Sequence, residues 1–171
     1  KTKFVLDIYK NEIEIINNKR RLGLSKSINL GIKKSKTPYV IRVDSDDYVN
    51  ENFLKILFLF LENNKTYDAA SCDYIKVDKN EKVLSREDSF EKPIACGILF
   101  KTDQLIKLGL YDESLALHEE RDLRLRFLKK HNLLQVKLPL YRYRMHKNNI
   151  TKNKKKFKSE LKKLNKKYLS E

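Results

Sequence analysis

The 171-residue sequence predicts an α/β layered fold, a mixed sheet flanked by helices, and three observations carry that prediction. Apolar residues alternate along the chain between strand-like and helix-like spacing. The apolar run Val40-Ile41-Arg42-Val43 ends directly on Asp44-Ser45-Asp46-Asp47, and sheets of this class gather ligands at the carboxyl ends of their strands. Hydrophobic residues make up 40% of the chain, enough to build a core for about one domain.

Phe4, Val5, Ile8 and Tyr9 have helical spacing. Glu12–Ile16 alternates acidic and apolar residues and reads as a strand. A polar loop from Asn17 to Gly23 follows, and Ser25 is placed to cap a helix carrying Ile28, Leu30 and Ile32. Pro38 stops that helix, and Tyr39–Val43 is the next strand. Asn50 is expected to cap an apolar helix from Glu51 to Leu61. Asp68–Val77 reads as a strand, Asp78–Lys82 as a turn and Val83–Ser85 as the returning strand. Ile94–Phe100 is a mixed apolar segment, followed by a short helix that stops at Gly109. Glu119–Lys130 is helical, Leu133–Leu138 is a strand, and Pro139 separates it from Tyr141–Arg144.

Lys and Arg number 38 against 23 acidic residues, a formal charge of +15, so an anionic partner is expected: phosphorylated small molecules, membrane headgroups or nucleic acid. No nucleic-acid recognition motif is present, which ranks that partner last. Cys72 and Cys96 lack metal-ligand spacing and read as buried free thiols in a reducing compartment. The longest apolar run, Phe53–Leu61, is too short to cross a bilayer. Met145 is the only methionine and the chain opens at Lys1, so a longer natural protein is expected.

Two readings of Asp44–Asp47 stand side by side. One is an Asp-rich turn leading into the next helix. The other is a site for Mg²⁺ or Mn²⁺, which take hard oxygen ligands and share them with phosphates. The tail also has two readings. From Lys147 to Glu171 it holds ten lysines against two glutamates, and Phe157, Leu161, Leu164 and Tyr168 share one helical face. Such a helix either lies on an anionic membrane or docks its stripe on the domain.

Several stretches resemble family 2 glycosyltransferases of the GT-A fold. Gly23-Leu24-Ser25-Lys26-Ser27-Ile28-Asn29-Leu30-Gly31-Ile32 is similar to their "GLAKALNxGI" helix. Tyr39 to Asp47 is similar to their "IARMDSDD" strand with its DxD motif. Cys96–Lys101, Gly109–Leu115 ("GGFDESL"), His118–Arg126 ("xEDxDLxLR") and Tyr141–Thr151 ("YRxHxxNxS") follow in the family's order. The resemblance covers residues 1–151 as a partial GT-A domain, with 152–171 as a basic amphipathic helix. It implies that the family's N-terminal strands, which belong to the nucleotide pocket, are missing from this chain.

The resemblance implies a metal-dependent, inverting transfer of a sugar from a nucleotide-diphosphate donor to a glycan or lipid-linked acceptor, as in bacterial surface polysaccharide synthesis. Asp44, Asp46 and His146 are then the metal-site residues, for Mn²⁺ or Mg²⁺. Arg20, Arg21, Lys26, Arg42 and Asp47 would lie on the donor diphosphate side. The family has Glu-Asp where this chain has Glu119-Glu120; the second position is its usual base, which maps to Glu120, with Glu119 the other candidate. The implied location is cytoplasmic, with peripheral contact to the inner face of the membrane. The competing reading is a catalytically incomplete fragment or binding module of the same fold.

Overall fold

A computed structural model describes residues 2–146 and 154–169. Twelve elements follow one another within them: α1 (Thr2–Ile8), α2 (Leu24–Lys34), β1 (Tyr39–Ile41), β2 (Tyr48–Val49), α3 (Phe53–Asn63), β3 (Ala69–Val77), β4 (Val83–Glu87), β5 (Ile98–Lys101), α4 (Thr102–Leu108), α5 (Glu119–Leu128), β6 (Leu133–Arg144) and α6 (Lys154–Leu169). The strands form one sheet in the order β1-β5-β3-β6-β2, with β4 paired to β3. Among the described strands β3 and β6 run parallel, and the other pairs are antiparallel. The sheet is therefore mixed, and helices cover both of its faces.

Strand alternation sorts the core into two layers. Ala70, Cys72, Tyr74 and Leu99 face α3, which buries Phe53, Leu57 and Leu61 at one side of its helix. Ala69, Ile98, Phe100 and Leu133 face the opposite way and pack on Ile32, Leu105, Leu123 and Phe127 from α2, α4 and α5. The step Ile98-Leu99-Phe100 serves both layers because successive side chains leave opposite faces of the strand.

Several expected boundaries change, each for a local reason. Glu12–Ile16 forms no strand: none of the described strands lies beside it, and alternation without a ladder partner leaves Ile13 and Ile15 exposed. Ser25 is not a cap. The N-cap of α2 is Gly23, whose φ of 88° suits glycine, while Ser25 is buried with its Oγ–H directed at Leu115 O, 3.4 Å away. Helix α3 starts at Phe53 rather than Glu51, because Asn50 N–H donates to Leu140 O at 2.8 Å and holds Asn50 against the sheet. Pro139 does not divide β6. Instead the β3–β6 register shifts beside it, so the strand absorbs a residue with no donor in a bulge. The two-residue strand β2 has no periodic signal of its own and exists by pairing with Tyr141 and Arg142.

The tail helix α6 docks on the domain. Leu164 is buried, and Lys167 Nζ donates to Asp112 at 2.8 Å and Asp122 at 2.7 Å. The Phe157 side chain and residues 147–153 lie outside the described residues. No helix among those described is long and apolar enough to cross a membrane.

Glu87 ends β4 as a buried carboxylate. Lys92, at 2.6 Å, together with Ser85 and Lys76, pulls its pKa down from 4.5 to about 2. A carboxylate depressed by folding stabilises the native state above its unfolded pKa, and that contribution is lost as pH falls through the folded value. Glu87→Gln should therefore lower the thermal midpoint at pH 7, and the gap to the wild type should close between pH 4.5 and about 2. A gap independent of pH would show that the ion pairs do not stabilise the strand.

Candidate functional site

The site is built where β1 ends. Beyond Ile41 the chain leaves the ladder, and Arg42 folds back on the aspartates that follow. Its Nε–H donates to Asp44 Oδ1 at 2.7 Å and its Nη2 to Asp44 Oδ2 at 3.1 Å, a two-pronged guanidinium–carboxylate pair. Its Nη1 reaches Glu119 Oε1 at 3.2 Å. Burial alone would depress the Arg42 pKa, but the Asp44 hydrogen bond more than offsets this and keeps the guanidinium charged. The expected phosphate ligand is thus already engaged by two carboxylates.

Tyr141 organises the turn from the other side. Its hydroxyl donates to Asp47 Oδ2 at 2.7 Å and accepts the Asp44 backbone N–H at 3.2 Å. Asp47 Oδ1 accepts the Arg144 backbone N–H at 2.8 Å. Burial raises the Asp47 pKa, opposed by these two hydrogen bonds. Asp44, Asp47 and Cys96 each offer a ligand atom within 4.8 Å of the others. Burial pushes the Cys96 thiol up to about 12, so it stays protonated and the two carboxylates are the hard donors. Each carboxylate has lone pairs left after these bonds, so the donor chemistry fits Mg²⁺ or Mn²⁺. Asp46 faces His146 instead: His146 Nε2 lies 2.7 Å from Asp46 Oδ2, and Arg144 Nε donates to the Asp46 carbonyl at 2.9 Å. The structure therefore joins His146 to the aspartate turn across 100 residues.

Helix α5 supplies the second pair of carboxylates. His118 precedes it with a left-handed φ of 66°, a costly conformation for a residue with a Cβ, and this bend aims the first turn toward Arg42. Glu119 is buried on Arg42. Glu120 is half-buried and lines a cavity of about 500 Å³ between α5, β5 and residues 90–95. Its pKa is raised, first by burial and then by the charge of Glu119. The helix is held in place through Asn29 on α2: its Nδ2 donates to Tyr111 O at 2.8 Å, and its Oδ1 accepts the Tyr111 N–H at 3.0 Å. This match of a buried amide with a backbone amide ties the Gly23–Ile32 helix to the Gly109–Leu115 turn.

The remaining candidates stand apart from this centre. Lys26 is exposed, 3.7 Å from Glu113 Oε2. Arg20 and Arg21 are exposed in the loop before α2. Sequence reasoning assigned no role to Tyr141, Cys96 or His118. Tyr141 and Cys96 sat inside motif-like stretches, but only the fold reveals that they meet.

Replacing the buried Tyr141 by Phe removes one donor and one acceptor at a half-buried turn. It should destabilise the protein by about 1–2 kcal/mol, read as a lower urea midpoint with unchanged slope. An unchanged midpoint would mean that the hydroxyl does not hold the turn.

Known proteins share this architecture. The model of the glycosyl transferase family 2 matches residues 1–121, well over half of the chain. An uncharacterized glycosyltransferase of Rickettsia bellii is 30% identical over 115 residues, covering 60% of this chain and 16% of its own length. The bifunctional glycosyltransferase pgtA of Dictyostelium discoideum is 35% identical over 77 residues, 43% of this chain and 10% of its own length. Among solved structures, S. aureus TarS 1-349 in complex with UDP-GlcNAc superposes with a TM-score of 0.73 at 17% identity, over 89% of this chain and 48% of that one. The same protein in complex with UDP gives 0.70 at 18% identity, over 84% and 47%. The chain thus spans a minor part of these curated relatives and about half of the solved chain, and the solved structures share its GT-A fold. By its family match, the chain belongs to glycosyl transferase family 2.

Proposed function

We propose that this chain carries the catalytic half of a metal-dependent, inverting glycosyltransferase. It would move a sugar from a nucleotide-diphosphate donor to a glycan or lipid-linked acceptor, in bacterial surface polysaccharide synthesis. The carrying observation is Arg42: one guanidinium binds both the aspartate turn and the first turn of α5, so a donor site and a base share one wall. The UDP and UDP-GlcNAc in the TarS complexes make a uridine diphosphate sugar the first donor to test.

In this reading Asp44 would hold Mn²⁺ or Mg²⁺ together with Asp47, which the turn sets beside it, and Asp46 would join them on leaving His146, which closes over the site. An ion held there would supply positive charge to offset the negative charge developing on the departing diphosphate. Glu120 is the general base. It faces the cavity, and its raised pKa makes its carboxylate a stronger proton acceptor once ionised. Glu119 is tied to Arg42 and positions the helix. The acceptor oxygen, losing its proton to Glu120, attacks the anomeric carbon opposite the diphosphate, and the new C–O bond forms as the bond to phosphate breaks, which inverts that carbon. Arg21 and Lys26 would reach the donor from the α2 side. The location is cytoplasmic; Leu164 of α6 faces the domain, and the exposed Lys162 is the contact offered to an anionic membrane.

The test is nucleoside-diphosphate release from UDP sugars with Mn²⁺, on the full-length natural protein. Asp44→Ala and Asp46→Ala should each lose roughly 100-fold or more, and Glu120→Gln about 100- to 10,000-fold in transfer. Full turnover in both aspartate variants would rule out the metal role. The acid limb of the rate profile should lie above that of an ordinary glutamate, because the base must be deprotonated and its pKa is raised. Glu119→Gln removes a neighbouring negative charge and should move that limb to lower pH. A shift to higher pH would contradict the assignment of Glu120.

A further inference from the structure

Among the described residues, one half-buried cation beside the proposed base pairs with no carboxylate. Arg42 pairs with Asp44 and Glu119, Arg86 with Asp73, Arg126 with Asp122, and Arg144 with Glu81. Arg124 has the Ser89 carbonyl, 3.4 Å from Nη1, and the ring of Phe90, 5.1 Å from its guanidinium carbon. It is half-buried, and burial lowers its pKa. A desolvated cation with no counter-charge is costly unless something else completes it.

Arg124 lines the same cavity as Glu120, one helical turn further along α5. Residues four apart on a helix share a face, with Cβ atoms about 5–6 Å apart. The rest of that wall is apolar: Leu125 and Leu128 on the helix, Phe90 and Ile94 across from it. Arg121 and Glu91, both exposed and of opposite charge, stand at the mouth.

We propose that this cavity is the acceptor subsite and that it takes a phosphorylated amphiphile. The phosphate rests on Arg124, the apolar chain runs along Leu125, Leu128, Phe90 and Ile94, and the reactive hydroxyl reaches Glu120. The assignment of the hydroxyl rests on the glycosyltransferase reading; the binding of an apolar phosphate ester does not. A planar guanidinium matches a phosphate in two-pronged geometry. The spacing of Glu120 and Arg124 requires the accepting hydroxyl and the phosphate to lie within a few bonds of each other, as on a sugar linked to a lipid phosphate.

The probe is hexyl phosphate, titrated calorimetrically into the protein in about 0.15 M salt, where loose surface electrostatics are screened. Inorganic phosphate and 1-hexanol are titrated beside it. Hexyl phosphate should bind roughly tenfold or more tightly than either alone. Arg124→Gln should weaken it by roughly tenfold or more, whereas Arg124→Lys should keep part of the affinity. Lys79→Gln, at the β3–β4 turn, should change nothing. Equal binding by wild type and Arg124→Gln overturns the proposal, as does a Lys79→Gln loss as large as that of Arg124→Gln. Equal binding of inorganic and hexyl phosphate removes the membrane-lipid source and overturns the amphiphile. None of these titrations needs donor or cation, so they fail or succeed separately from the turnover assay.

Discussion

The Arg42 guanidinium is shared between two carboxylates that come from opposite sides of the site. Asp44 belongs to the end of β1 and Glu119 to the start of α5, with Glu119 77 residues beyond Arg42. Buried ion pairs contribute little net stability once desolvation is counted, and their better-attested value is in fixing one arrangement among several. Here the arrangement fixed is the distance between the aspartate turn and Glu120. Asn29 and Tyr141 complete it: the first holds the turn leading to α5, the second holds the turn leaving β1. If Arg42 were replaced by a single-pronged cation, each half would keep its own fold but not their mutual register.

Much of this centre was legible in the sequence, and the physical reason differs by residue. Asp44–Asp47 stood out because three carboxylates after an apolar strand need a cation or a turn, and Glu119–Glu120 because an acidic first turn complements the helix dipole. Asn29 and Tyr111 were visible as motif positions without their bond, since a side-chain amide matched to a distant backbone amide leaves no periodic trace. Tyr141 was read as the start of a short strand after Pro139. The bulge that carries β6 past Pro139 decides which face Tyr141 occupies, and a bulge cannot be counted from hydropathy. The alternation at Glu12–Ile16 misled for the converse reason: period two describes a surface to be paired, and pairing is not local.

The fold gives the two core layers different tasks. The α3 side packs Phe53, Leu57 and Leu61 on the β3–β6 ladder and touches the site through Tyr141. The α2, α4 and α5 side contains the elements that carry Asn29, Glu119 and Glu120. Loss of volume under α5 would therefore tilt the proposed base, whereas loss under α3 would reach the site only by way of the sheet.

Asp122 has no solvent exposure and holds Arg126, Lys167 and Tyr168 together. Two of those three partners belong to the tail. The tail and the helix bearing Glu120 therefore form one cooperative unit, so that lifting α6 leaves a buried carboxylate with a single cation beside α5. Substitution along the tail should then be tolerated very unevenly: exposed Lys162 is interchangeable with other polar residues, while Lys167 and Tyr168 are bound to the interior. A segment that looks like generic positive charge thus contains a fixed anchor, and sequence drift there would spare Leu164, Lys167 and Tyr168 while blurring exposed Lys162.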